Sequence, residues 1–533
     1  MTIDDRVELD VSQAAQRLLD GLLEEPWGQV SASVYETGRL VTLAPWLTGH
    51  ADRVAFLIAT QRPDGGWGPP DGGYALVPTL SATEALLSAV RGAEVPDPAQ
   101  LRAARDGLGA LARWLGDGVG PPLPDMPAVE LIIPSLITLI NEHLDADPSL
   151  ADPALGDPFR YADPTPGGDV RLPGGRLPTP AGAGVRTLAA IRAALGAGFE
   201  VPEKLMHALE IAGDTAHGLP AIGPEVTGTI GASPAATAAW LGGREPPEPA
   251  HPARHYLEAA ARPHRGPVPC GLPITVFERA WVVSTLIRAG LPITVPAQLV
   301  RSLQAGLGRG GTPAAAGLPA DADTTAGALY ALALLGAPHE PDMLWAFETE
   351  THFCTWPGED GRSVSTNAHV LEAFGQYAAE FPGAAPRYTA TMGRLATWLR
   401  EQQRPDGSWL DRWHASPYYA TACAALALHR FGGAESQASV RHAAQWLLTG
   451  QRADGSWGLW EGTAEETAYA VQILLLTGAV PCDQAVARAG AHLLAGSAAH
   501  GPAMWHDKDL YLPTAIVHAT VLGAIHLTRV AVR

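Results

Sequence analysis

The 533-residue chain is short of several things, and each shortage removes a class of protein. Lysine is almost absent: Lys204 and Lys508 are the only two among 36 basic residues. Against these stand 55 acidic residues and a formal net charge of -19, so no basic face is available for the phosphates of a nucleic acid. No nucleic-acid partner is expected. Cysteine is sparse too. Cys270, Cys354, Cys423 and Cys482 are scattered, with none at CxxC or zinc-ribbon spacing, which fits free thiols in a reducing compartment. No run approaches the roughly 18 uninterrupted apolar residues of a membrane helix. The best candidate, "PTAIVHATVLGAIHLTRVAVR", is broken by His518, His526 and Arg529, so no integral membrane contact is expected. The acidic start "MTIDDRVELDVSQAAQRLL" lacks the basic-then-apolar order of a signal peptide, and a cytoplasmic location is expected. Strand-type alternation is missing throughout.

What remains is abundant apolar material. Hydrophobic residues make up 47% and charged ones 17%, in a chain too long for one ordinary core. Three heptapeptides nearly repeat: "QRPDGGW" at 61–67, "QRPDGSW" at 403–409 and "QRADGSW" at 451–457. Each has an aromatic five positions before its Gln, at Phe56, Trp398 and Trp446. Each unit reads as helix, Asp-Gly turn, helix, because glycine tolerates the positive φ such a turn needs. The flanks "YYATACAALALHRF" and "ETAYAVQILLLTG" carry apolar residues at helical spacing. Repeated helix pairs predict toroids of hairpins. Two Pro/Gly-rich stretches interrupt them, at 162–184 and 242–273; the second is read as a domain junction. An all-α protein of two α/α barrels follows.

The stretch "LPADADTTAGALYALALLG" sets Asp321 and Asp323, then Thr324 and Thr325, before an apolar helix. Asp and Thr are good helix caps and suit the positive end of the helix dipole. A cap needs one carboxylate, however, and here there are two. Burial at an apolar helix mouth and a second carboxylate nearby both raise a carboxyl pKa. The pair therefore also suits an acid kept protonated at neutral pH.

In the same chain the heptapeptides resemble the QW motifs of terpene cyclases, where they are structural. "DADTTA" (321–326) resembles the DxDDTA acid motif of class II terpene cyclases. "SASVYETGRLV" (31–41), "AVELIIPSL" (128–136), "IGASPAATAAWL" (230–241), "VFERAW" (276–281) and "VSTNAHVLEAF" (364–374) resemble that family's other segments, in its order. The resemblance implies βγ architecture: residues 1–26 as the first helix of the β domain, 27–262 as an inserted γ domain, and 263–533 as the rest of β. The active site is expected between the barrels. No DDxxD with an NSE-type partner is found. "DDRVE" at 4–8 is only a loose match, so the diphosphate is expected to be retained.

The resemblance further implies the site. Asp323 is the proton donor, Asp321 tunes it, and His369 holds and reprotonates it. Thr324 stands where the commoner motif has a third Asp, and is read as a hydrogen-bonding spacer. Cation stabilisation by aromatic faces is expected from Trp281, Trp356 and Trp413, each near a family motif. Lys204, Arg412 and Lys508 are expected to bind the diphosphate. Glu210 and Asp214, at i, i+4 in "LMHALEIAGD", are expected to hold Mg²⁺ on one helical face. The implied activity is conversion of geranylgeranyl diphosphate to a bicyclic labdane-related diphosphate. Farnesyl diphosphate to drimenyl diphosphate is the nearest alternative and a squalene-hopene-type cyclisation the next. An α/α-barrel glycosidase or a binding solenoid would leave the ordered motifs unexplained. The product would pass to a downstream diphosphate-processing enzyme, and a homodimer is compatible with this reading.

Overall fold

The computed structural model describes residues 10–116, 118–151, 175–243, 245–359, 361–496 and 501–532. The "DDRVE" stretch and most of 162–184 lie outside the described residues. Helices dominate among the described residues, where the one sheet is a two-stranded hairpin, Trp505–His506 with Leu510–Tyr511, which the helical reading of the sequence did not anticipate.

The C-terminal half forms a closed ring of six helices. Thr275–Arg288 packs on Ala322–Leu334, which packs on Val364–Glu380. Pro417–Phe431, Ala464–Thr477 and Thr514–Val532 continue the ring, and the last returns to the first. Helices such as Ala385–Glu401 and Gln437–Gly450 pack outside it. The inner helices are apolar on every side because every side is covered, as the thirteen residues "ADTTAGALYALAL" illustrate. Small residues let them approach closely. A Cβ on Gly327 would lie 2.3 Å from the Trp281 ring.

The first half builds a second barrel on its own hydrophobic core. Its ring runs through Val34–Leu43, Gly72–Gly92, Val129–Ala146, the 3-10 segment Leu209–Ala216 and Pro234–Leu241. Helix Val11–Glu24 packs instead on Thr275–Arg288 and Thr514–Val532 of the C-terminal barrel.

The heptapeptides staple hairpins by hydrogen bonds from their Gln and Trp side chains to backbone. Gln403 Nε2 donates to Gly407 O in its own turn and to Ser439 O of the next hairpin, both at 2.9 Å. Trp409 Nε1 donates to Leu399 O at 2.7 Å. Gln61 with Trp67, and Gln451 with Trp457, repeat this pattern. The turn glycines Gly65, Gly407 and Gly455 all have positive φ, at 85°, 99° and 87°.

Helix Thr514–Val532 contains an 18-residue window long and apolar enough to cross a membrane, but 61% of that window is buried in the barrel. Its apolarity is that of a core helix.

Candidate active site

A cavity of about 720 Å³ opens between the two barrels. The C-terminal barrel presents first-turn residues of three inner helices to it: Phe277, Asp323 with its cap Asp321, and Tyr419. The N-terminal barrel supplies Leu131, Ile191, Lys204 and His207.

Asp321 is the N-cap of helix Ala322–Leu334. Its Oδ1 accepts from Thr324 N at 2.6 Å. It is nevertheless buried, and burial raises its carboxyl pKa to about 8. Capping and proton retention are thus both present in one residue. Asp323, in the first turn of the same helix, accepts from His369 Nδ1 at 2.8 Å. Burial works against charging that ring. The Asp323 carboxylate and the neighbouring Cys423 together outweigh burial and hold the imidazole pKa well above its ordinary value. So Asp321, Asp323, Thr324 and His369 are brought together, and the first three line the cavity.

Aromatic side chains surround the acid. Tyr419, Trp505, Tyr511 and Phe277 line the cavity beside it, with Tyr419 and Trp505 centroids 4.6 Å apart. None of the four was singled out from the sequence. Their signal was weak, because Trp505 and Tyr511 come from the unforeseen hairpin. Trp505 is fixed by Nε1 donating to Glu465 at 2.9 Å. Trp356 and Trp413 also line the cavity, in a T-shaped pair 5.3 Å apart. Trp281 does not. It lies behind the acid, edge-on to His369 at 4.9 Å, with Nε1 donating to Tyr419 OH at 3.3 Å. Its expected place on the cavity wall is corrected accordingly.

The cavity mouth carries the cations. Lys204 Nζ sits 4.8 Å above the Trp356 ring and 3.4 Å from Glu359. Arg412 stands over Trp413 and reaches the same Glu359 at 3.3 Å and Asp125 at 3.1 Å. His207, also on the wall, was missed. It donates from Nδ1 to Gly231 O and from Nε2 to Asp507, both at 2.6 Å. Two N–H donations make the ring an imidazolium. Burial opposes that charge, Asp507 restores it, and the pKa is raised.

Three expectations fail here. Lys508 does not face the cavity. It is fully buried, with Nζ 2.5 Å from Glu36, 2.9 Å from Glu210, 2.7 Å from Ser233 and 2.8 Å from His207 O. Its charge joins the hairpin of one barrel to the other. Glu210 and Asp214 do not share a helical face either, because Gly213 breaks the helix with φ 62° and ψ -140°. Asp214 is exposed, whereas Glu210 is spent on Lys508 and on Tyr35 OH at 2.6 Å. The pair does not fit a magnesium site. Among the described residues no three His, Cys, Asp or Glu side chains are placed to share a metal ion.

Comparison with known proteins now bears on this geometry. Residues 359–511 match the family model "Squalene-hopene cyclase C-terminal domain". The chain is 43% identical to the ent-copalyl diphosphate synthase of Streptomyces sp. (strain KO-3988), over 97% of this chain and 96% of that one. The labda-7,13-dienyl diphosphate synthase of Streptomyces clavuligerus is 42% identical, over 96% and 92%. The chain belongs to the class II diterpene cyclase family. A solved structure, ent-copalyl diphosphate synthase from Streptomyces platensis, superposes on this cyclase with a TM-score of 0.88 at 43% identity, covering 97% and 99% of the chains. The cyclase is therefore an enzyme of two α/α barrels, and Asp321 and Asp323 line a cavity walled by both.

Proposed function

We propose that this cyclase converts geranylgeranyl diphosphate into a bicyclic labdane-related diphosphate, with the diphosphate retained. The observation that carries the reading is the Asp321–Asp323–His369 cluster on the wall of an apolar cavity with cations at its mouth. The cavity volume suits a ligand of this size, within the range of roughly 300–1,000 Å³ for small-molecule sites.

Alkenes are weak bases, so the acid must be dry and protonated. Asp323 gives its proton to the terminal alkene, and His369 fixes the carboxyl that does so. Asp321, kept neutral by burial, places no negative charge beside the protonated acid. The growing carbocation runs past Tyr419, Trp505 and Phe277, whose faces attract it without offering a nucleophile. Lys204 and Arg412 take the diphosphate, which replaces Glu359 and Asp125 as their partner. Mg²⁺ is the counter-ion this reading expects, carried by the diphosphate rather than by Glu210 and Asp214. The retained diphosphate calls for a later enzyme that ionises it.

Relatives at 43% and 42% identity carry different product names, ent-copalyl and labda-7,13-dienyl diphosphate, so the product isomer is left to experiment. The purified protein is incubated separately with geranylgeranyl diphosphate, farnesyl diphosphate and squalene, then treated with phosphatase, and the alcohols are analysed by mass. A bicyclic C20 alcohol is expected. Cyclised farnesol or a cyclised triterpene alone would overturn the substrate.

A further inference from the structure

Helix Ala464–Thr477 opens with two adjacent carboxylates, Glu465 and Glu466, and capping contacts account for only one of them. Glu466 accepts from the hydroxyls of Thr463, the N-cap, and Ser416, and from Leu459 N, which ties the turn to its neighbour. Glu465 turns the other way, toward the aromatic wall of the large cavity. Its Oε1 accepts from Trp505 Nε1 at 2.9 Å, Tyr469 OH at 3.0 Å and His414 Nε2 at 3.3 Å. His414 Nδ1 accepts from Ser416 N at 3.0 Å, so its proton is on Nε2 and the ring is neutral.

The Glu465 charge is buried and uncompensated. Its Oε2 is buried and has no hydrogen-bond partner in the protein. A proton there would be a buried donor without an acceptor, so the three donors converge on an ionised group. Among the described residues no lysine or arginine stands within salt-bridge distance, and the neutral His414 is the one basic side chain there. Burying a carboxylate without a cation costs stability. The helix N-terminus offsets part of that cost. The rest of the explanation lies in what stands in front of the carboxylate.

Trp505 and Tyr419 line the large cavity, and Glu465 does not. Trp505 is bonded to the carboxylate directly. Tyr419 is reached through His414, whose ring stacks on it with centroids 4.8 Å apart. A carboxylate on the cavity wall itself would capture a carbocation as an ester or take a proton from it early. Held behind the rings, its lone pairs are out of reach. Its field is not, because a buried site screens charge far less than water does. The hydrogen bond also polarises the indole, drawing the N–H toward Glu465 and leaving the ring richer in electrons. A richer ring attracts a cation more strongly.

We propose that Glu465, acting through Trp505 and, by way of His414, through Tyr419, makes the aromatic wall more negative and so stabilises the carbocation. It is a positioning residue for charge and touches neither substrate nor acid. The proposal rests on the reading of this cavity as the place where Asp323 generates that cation. The substrate hydrocarbon is neutral until it is protonated, so the interaction grows only on the way to the transition state. Its effect therefore belongs in kcat and not in KM.

Glu465→Gln tests this, since the amide oxygen still accepts a hydrogen bond while the charge is gone. Steady-state kinetics on geranylgeranyl diphosphate should show kcat down by about 30-fold, the scale of one desolvated cation–π contact, with KM within about twofold of the parent. The urea midpoint should hold or rise, because an unpaired buried charge has been removed. Glu465→Asp, which keeps the charge, should recover most of kcat. In a Trp505→Phe background, Glu465→Gln should cost less than it does alone, since the ring that carries its effect has lost the N–H. If Glu465→Gln does not fold, Trp505 is replaced by 3-benzothienylalanine, whose sulfur takes the place of the N–H in a ring of similar size. There too kcat should fall with KM unchanged. Parental kcat in the folded proteins, or a loss of kcat accompanied by a raised KM and a lowered midpoint, would overturn the proposal. A parent that does not cyclise the substrate at all would overturn the reading of the site itself, a result distinct from failure of Glu465 alone.

Discussion

His369 Nδ1 stands 2.8 Å from Asp323 Oδ1, reaching from the helix next to the one whose first turn carries the aspartate. The two helices pack along one another, so a rigid barrel sets this distance rather than a loop. Removing the imidazole while keeping a polar group, as in His369→Gln, is expected to lower turnover by about 10²–10⁴-fold with the helical spectrum intact. Steady-state kinetics with circular dichroism check this.

The two lysines are expected to separate cleanly. Lys204→Ala and Arg412→Ala remove cations at the cavity mouth, so KM for the diphosphate should rise while stability holds. Lys508→Met instead leaves Glu36 and Glu210 buried without their cation. Its cost should be about 3–5 kcal/mol in denaturant unfolding. If Lys508→Met were as stable as the parent but bound substrate poorly, the placement of Lys508 would be wrong.

Asp321 makes stability depend on pH in a stated direction. Its folded pKa of about 8 lies above its unfolded value near 3.9. Between those values the folded state keeps a proton that the unfolded state has lost. Its contribution to stability therefore falls as pH rises toward 8, by up to about 1.4 kcal/mol per unit, and is level above. Asp321→Asn removes this slope. Urea midpoints at pH 5, 6, 7 and 8 should show the variant gaining on the parent as pH rises; parallel curves would contradict the burial of that carboxyl.

Thr324 supports Asp321 through its backbone N–H, at 2.6 Å. Thr324→Val keeps that bond and removes only the hydroxyl, so stability should change by no more than about 1 kcal/mol. Turnover should fall far less than in Asp323→Asn. Equal losses in folded proteins would mean that Thr324 takes part in the chemistry.

Much of this was legible in the chain. The Gln–Asp-Gly–Trp repeats announced helical hairpins because their turn and their bonds are local. The acid cluster was legible as well, because cap, carboxylates and apolar helix are adjacent in sequence. What was misread depends on distance. Lys508 and Glu210 are about 300 residues apart, and their burial against each other leaves no local mark. The break at Gly213 turned an apparent helical face into a kink. Trp281 is near a motif in sequence yet sits behind the acid, against Gly327 and edge-on to His369, contacts between separate helices that no local pattern shows. The aromatic wall was missed because Trp505 and Tyr511 ride on a hairpin with strands of two residues each.

The most direct measurement is turnover of geranylgeranyl diphosphate by Asp323→Asn, with folding checked by circular dichroism and pyrophosphate release followed in the parent. The amide keeps size and shape but has no acid proton to give. Cyclisation should fall by orders of magnitude in a folded variant, and the parent should cyclise without releasing pyrophosphate. Near-parental cyclisation by folded Asp323→Asn, or stoichiometric pyrophosphate release by the parent, would contradict protonation by Asp323 with the diphosphate retained.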